Sequence, residues 1–248
     1  MDSETDQAMS MTVRAALCGL AALAFTVGAH AASLQVSPTT VEVVAPAAAA
    51  TIKLRNDETR PITAQVRVFR WSVVDGKERL DPTDFVVVSP PIVSLSPRTD
   101  YVVRIVRTSR QPVSGEESYR LLVDELPDAK RMKSGAVNLL LRYSLPVFFG
   151  APDRGDAKLK WLLEHKGGQL WVSAQNLGDR RMRISRLGLK DASGQAISFG
   201  EGLNGYVLAR STMSWAAPKT VRGFGIGGTA LISAQSDLGR IDASAQAQ

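Results

Sequence analysis

The sequence predicts an antiparallel β-sandwich protein with two domains, on three observations. From Leu34 onward, short apolar runs rich in Val, Ile, Leu and Thr are ended by Pro, Gly, Asn or Asp about every ten residues, which is strand punctuation. Few segments hold a helical period. The stretch Gly150-Ala151-Pro152-Asp153-Arg154-Gly155-Asp156 contains no strand former and parts the run series in two.

The first series predicts strands at Leu34 to Val36, Val41 to Val44, Thr51 to Arg55, Thr63 to Val73, Phe85 to Ser89, Ile92 to Leu95, Asp100 to Arg107, Ser118 to Leu126 and Val137 to Phe149. Asn56-Asp57, Asp75-Gly76, Ser96-Pro97 and Ser114-Gly115 stand between them. They supply turn chemistry through side-chain bonding to backbone, positive φ or a preset proline φ. The second series predicts Lys158 to Glu164, Leu170 to Gln175, Met182 to Lys190, Ala196 to Phe199, Gly205 to Leu208, Thr212 to Ala216 and Thr229 to Ser233, with a turn at Gly167-Gly168. Domains are therefore expected at residues 32–150 and 151–235. Residues 236–248, rich in Ala, Ser and Gln without periodicity, are expected to form a disordered tail.

The first thirty or so residues read as a signal peptide. Arg14 precedes an apolar run from Ala15 to Ala29, and Ala29-His30-Ala31 places small residues at the two positions that direct cleavage after Ala31. The run is shorter than the roughly twenty apolar residues that span a bilayer, so no stable membrane anchor is expected. The acidic leader Asp2, Glu4 and Asp6 is foreign to such a segment, and translation from Met9 or Met11 would remove it. The sole cysteine, Cys18, lies inside the signal, so the exported chain is expected to carry no disulfide and no thiolate site. A lipoprotein reading of Cys18 fails, because Leu17 is too large for the preceding position.

The full chain of 248 residues has 30 basic and 24 acidic residues and a net charge of +6; cleavage removes three acids and one base, leaving +8. A basic protein suits nucleic acid, an anionic surface or an acidic protein partner. Nucleic acid fits poorly, since an exported protein rarely meets it. The basic run Arg180-Arg181-Met182-Arg183, with Arg186 and Lys190, has no interleaved aromatic stacking platform and reads as a solvated strand face. No catalytic set is visible: His165 is the only histidine after the signal, and no cysteine or Ser-centred nucleophile elbow accompanies it. His165 also lacks companions for a metal site. Gly223, Gly225, Gly227 and Gly228 lack the Lys-Ser/Thr ending of a phosphate loop. The chain is expected to be neither an enzyme nor cofactor-dependent.

Several separated stretches resemble, in order, the periplasmic pilus chaperones of the chaperone and usher pathway. They are Ser33-Leu34-Gln35-Val36-Ser37-Pro38-Thr39, Leu54-Arg55-Asn56-Asp57, Ala64-Gln65-Val66 with Trp71, Pro90-Pro91, Leu95-Ser96-Pro97 with Arg104, Tyr119-Arg120-Leu121, Glu125-Leu126-Pro127 and the run Val137 to Phe149. Tyr206-Val207-Leu208-Ala209-Arg210-Ser211-Thr212 is similar to the family's late motif in its second domain. The resemblance implies two immunoglobulin-like sandwiches in a boomerang with a cleft between them. It also implies a periplasmic chaperone that binds pilin or fimbrial subunits by donating a β-strand and delivers them to an outer-membrane usher.

A pilin that lacks its last strand exposes a groove and unpaired sheet edges. The run from Ala136 to Leu145 is suited to fill both, because period-two geometry puts Val137, Leu139, Leu141 and Tyr143 on one face. Leu140 and Phe148, on the other face, are then expected in the chaperone's own core. An apolar donor edge also predicts self-association of the free protein.

The family's best-studied branch grips the subunit's terminal carboxylate with two basic residues, and here those positions hold Thr40 and Pro146. The chain thus resembles a divergent, non-archetypal branch. Arg142 and Arg104 are the replacement anchors expected from the sequence, since a guanidinium grips a carboxylate bidentately. Arg104, Asp124 and Glu125 would alternatively serve the interdomain surface. The competing reading is a stand-alone periplasmic adaptor of two sandwiches that never donates a strand; such a protein would bury or cap the segment from Val137 to Leu145.

Overall fold

The computed structural model describes residues 34–128, 139–218, 224 and 228–246. Within these residues every regular element is a strand. The first sandwich holds β1 (Leu34–Ser37), β2 (Val41–Val44), β3 (Ala49–Asn56), β4 (Ile62–Val74), β5 (Lys77–Pro82), β6 (Val86–Ser89), β7 (Ile92–Leu95), β8 (Asp100–Arg107), β9 (Glu116–Leu126) and β10 (Arg142–Gly150). Its four-stranded sheet runs β1-β3-β8-β6. Its six-stranded sheet runs β2-β10-β9-β4-β5, with β7 also pairing β4. The ladders are antiparallel except for β10 with β2.

Alternation explains the packing. β1 and β2 bury every second residue, and Leu34, Val36, Val41 and Val43 enter one core with Ile52, Leu54, Val66, Ile105, Leu121, Val147 and Phe149. Successive side chains of a strand point to opposite faces, so this pattern closes two sheets over a dry interior.

The second sandwich holds β11 (Leu159–Lys166), β12 (Gln169–Asn176), β13 (Met182–Lys190), β14 (Ala196–Ser198), β15 (Leu203–Val207), β16 (Thr212–Ala216), β17 (Thr229–Ser236) and β18 (Gly239–Gln246). β11-β12-β16 form one sheet and β14-β13-β17-β18 the other, with β15 on β13. Leu163, Val172, Ile184, Leu187, Leu189 and Ile232 make its core.

Two boundaries differ from the sequence reading. Residues 239–246, expected in a disordered tail, form β18, which pairs along its whole length with β17 and sets Ala245 into the core. Small residues at Ala243 and Ala245 hide this strand, because its inward positions carry little hydrophobic signal. The last strand of the first sandwich begins at Arg142, so the expected strand from Val137 is shorter at its start: Leu139, Leu140 and Leu141 precede the ladder, and Val137 lies outside the described residues.

One device recurs at equivalent places. Asn56 closes β3 and Asn176 closes β12, both buried. The Asn56 amide donates to the carbonyls of Arg60 at 2.8 Å and Leu95 at 2.9 Å, while its oxygen accepts the Glu58 N–H at 2.9 Å. Asn176 donates to Arg180 at 2.8 Å and Leu208 at 3.1 Å, and accepts from Gly178 at 2.9 Å. Each asparagine satisfies carbonyls that the sandwich would otherwise bury unpaired.

Candidate functional site

The region to weigh is β10 and the chain entering it. β10 pairs with β9 from Arg142 to Gly150, but with β2 only from Val147 to Gly150. Among the described residues, Arg142 to Pro146 therefore have one backbone edge open. Upstream, Leu139 is 87% exposed and Leu140 48% exposed. An open strand edge flanked by solvated leucines is what soluble proteins normally avoid, because it templates pairing with another chain.

The faces of β10 are distinct. Leu145, Val147 and Phe149 are buried in the first core, and Leu141 and Tyr143, half-buried, pack against it. The Tyr143 hydroxyl donates to the carbonyl of Leu34 on the opposite sheet. The expected donor residues Leu139, Leu141 and Tyr143 thus share parity with the protein's own core residues. The expectation that Leu140 belongs to the protein's own core is corrected, whereas Phe148 is buried as expected, though in a second cluster apart from the first core. Leu140 is exposed, and Phe148 leaves β10 on the outer face, where it packs with Trp71, Tyr206 and Leu208 between the two sandwiches.

That outer face carries the charges. Arg142 stands across from Asp124 in the ladder, and its Nε bonds Asp124 Oδ1. Arg67 Nη2 bonds Asp124 Oδ2 at 2.7 Å. Burial alone would raise the Asp124 carboxyl, but hydrogen bonds from Arg142 and Arg67 outweigh it and hold the group below the ordinary aspartate value. Farther along, Pro146 faces Arg120 across the ladder. The Arg120 guanidinium lies 3.6 Å from the centroid of the Trp71 ring and reaches Glu78 at 3.2 Å. Thr40, half-buried, immediately precedes β2. Arg104 projects, exposed, from β8 in the other sheet. The structure does not bring Arg104 and Arg142 together.

The interdomain surface was largely invisible to pattern reading. Arg181, expected on a solvated strand face, is instead 2% exposed. Its guanidinium bonds Glu116 at 2.6 Å and Glu42, and lies 3.6 Å from the Phe148 ring centroid. Glu116 has a fully buried side chain and also meets Arg154 at 3.6 Å. Asp124, offered as an interdomain carboxylate, pairs with arginines of its own sandwich. Trp71, Arg120 and Tyr206 lay within stretches that carried the family resemblance, but nothing in their spacing announced that they converge.

Within the first core, Arg107 grips Glu117 at 2.9 and 2.8 Å, and the Tyr119 hydroxyl donates to Glu117 at 3.0 Å. Burial, with the Glu117 charge beside it, pushes the Tyr119 hydroxyl up to about 12. Among the described residues no group of three or more His, Cys, Asp or Glu side chains gathers as a metal site.

Comparison with known proteins agrees with this architecture. Residues 33–154 match the model for the pili and flagellar-assembly chaperone, PapD N-terminal domain. No curated protein sequence matches. A chain of the CsuC–CsuE chaperone–tip adhesion subunit pre-assembly complex, from archaic chaperone-usher Csu pili of Acinetobacter baumannii, superimposes with a TM-score of 0.69 at 22% identity, covering 88% of this chain and 100% of that one. The Escherichia coli chaperone DraB gives 0.57 at 22% identity, covering 85% and 95%. A chain of the Salmonella enterica SafA pilin–SafB chaperone complex gives 0.58 at 19% identity, again covering 85% and 95%. At these identities the structural likenesses speak for the fold, and the matched sequence model for the family. By its first sandwich, residues 33–154, the chain belongs with the pili and flagellar-assembly chaperones.

Proposed function

We propose that this protein is a periplasmic chaperone that holds pilin subunits by lending them the segment entering β10, and passes them to an outer-membrane usher. The observation that carries this reading is the open edge from Arg142 to Pro146, continued by Leu139 at 87% exposure. An adaptor that kept its strands to itself would cover that edge. A subunit lacking its last strand would gain both a backbone partner and apolar side chains. Full burial of a leucine is worth roughly 1.5–3 kcal/mol. Leu139 has nearly all of that to gain, whereas Leu141 already realises part of it against the first core. Val137 completes the donor set in this reading.

A subunit carboxylate seated near Pro146 would find Arg120 directly across the ladder. Arg142 is engaged by Asp124, and Arg104 belongs to the other sheet, so Arg120 is the better candidate anchor. Its guanidinium lies against the Trp71 ring, pairs with Glu78 through Nη2 and is held with its side chain 12% exposed, a fixed group of the kind that grips a carboxylate.

The test is co-expression of the full chain with pilin subunits encoded in the same genome, followed by pull-down, for wild type and Leu139→Glu. Leu139 touches no core, so the variant should fold. Wild type should retain a soluble one-to-one complex, and the variant should lose at least tenfold of it. Equal retention by both would replace strand donation with the adaptor reading.

A further inference from the structure

The donor segment presents a difficulty that the sequence itself poses. Leu139, Leu140 and Leu141 are identical and consecutive. Register in a strand is normally chosen by hydrophobic alternation, and a slip of one residue exchanges the two faces. A triple leucine cannot make that choice, since either phase offers leucines to an apolar groove. Something outside the run must decide which leucine enters.

We propose that Asp124 is a positioning residue that fixes the phase of the donor segment by clamping Arg142, the residue immediately after the triple leucine. The inference rests on the strand-donation reading above. The clamp has two arms, because the Asp124 carboxylate binds Arg142 through one oxygen and Arg67 of β4, at 2.7 Å, through the other. The carboxylate side chain is only 10% exposed although Arg142 is 64% exposed, so the fixed partner is the aspartate. β9 runs only two residues beyond Asp124, and β10 starts at Arg142, so the pair closes the last rung before the segment leaves the sheet.

Neighbouring bonds act in the same sense. The Glu125 N–H donates to the Leu141 carbonyl at 2.9 Å. On the inner face the Tyr143 hydroxyl reaches Leu34. A slip by one residue would carry Arg142 to the core side and strand its charge there, which is costly. With Arg142 held outward, Leu141 and Leu139 share the inward phase and Leu140 is directed to solvent. Arg142 is thereby assigned to register, leaving the carboxylate anchor to another group.

The clamp is testable because the exported chain has no cysteine of its own, Cys18 lying in the segment read as the signal. Leu139→Cys and Leu140→Cys are each labelled with an environment-sensitive fluorophore in the full-length exported chain. Iodide quenching is then read with and without the pilin subunit that co-purifies with wild type. In the wild-type background, subunit binding should protect the probe at 139 at least fivefold more than the probe at 140. In Asp124→Asn, and separately in the exposed-side variant Arg142→Gln, that ratio should fall toward one, while Asp124→Glu restores part of it. A general loss of affinity would lower both protections and leave their ratio unchanged, so an unchanged ratio in Arg142→Gln with bound subunit overturns the clamp. If the parent chain retains no subunit at all, the strand-donation reading itself fails, and the clamp with it.

Discussion

Arg181 shows how much one side chain can hold between two domains. It is buried among Glu116, Glu42 and the Phe148 ring, and Glu116 has no exposed side-chain surface. A buried ion pair is a weak net stabiliser, but removing one partner strands the other charge. Arg181→Met should therefore cost about 3–5 kcal/mol, toward the lower end because Arg154 remains 3.6 Å from Glu116. Arg181→Met combined with Glu116→Gln should recover part of that, since the stranded Glu116 charge is gone although Arg154, 13% exposed, loses its carboxylate partner. Urea unfolding followed by circular dichroism measures both. A loss below about 1 kcal/mol for the single variant would mean that water or Arg154 already compensates Glu116. Pattern reading placed Arg181 on a solvated face for a physical reason: its partners lie 65 and 139 residues away, and no local period encodes them.

At the scale of elements, much more was legible. The alternations in β1, β2 and β12 name their own buried residues, and the turn residues Asn56-Asp57 and Asp75-Gly76 stand where strands end. What local sequence could not show is that Asn56 and Asn176 reach across to distant carbonyls in the same way in both sandwiches. Gly178 belongs to this device: a Cβ there would lie 2.0 Å from the Asp156 carbonyl oxygen, so the chain passes only as glycine. Asn56→Ala and Asn176→Ala should each leave buried carbonyls unpaired, at about 1–3 kcal/mol. In a protein of this size that lowers the melting temperature by about 2–4 °C per kcal/mol. Asn→Asp at either site should be at least as damaging as Ala, because the donors are lost and a charge faces carbonyl oxygens. An aspartate variant that melts with wild type would show that the bonds to carbonyls are dispensable. β18 escaped notice for the opposite reason, as its inward residues Ile241, Ala243 and Ala245 keep the period but too little apolar mass to register.

Across the molecule, the open edge of β10 serves the proposed strand donation only if the second sandwich stands clear of it and stays there. Among the described residues, the contacts that hold the sandwiches to each other include the Arg181 cluster, the packing of Trp71 and Phe148 on Tyr206 and Leu208, and the tip of the β4–β5 hairpin on β16. The last is the most sharply testable. The Gly76 carbonyl accepts the Ser214 N–H at 3.2 Å, and a Cβ on Gly76 would lie 2.6 Å from the Ser214 hydroxyl. Gly76 also has φ +74°, which a residue with a Cβ adopts at a cost of roughly 1–2 kcal/mol. Gly76→Ala should therefore push the hairpin off β16 and loosen the domain angle without touching either core. Small-angle scattering of the free chain should show a larger radius of gyration or a broader distance distribution. Subunit retention should fall while each sandwich keeps its own hydrogen-exchange protection. Adding Ser214→Gly removes the atoms in the way while leaving the φ strain, so the double variant should regain the wild-type scattering curve. If Gly76→Ala scatters as wild type does, the hairpin contact is incidental, and the domain angle is held by other contacts, the Arg181 cluster and the aromatic packing among them.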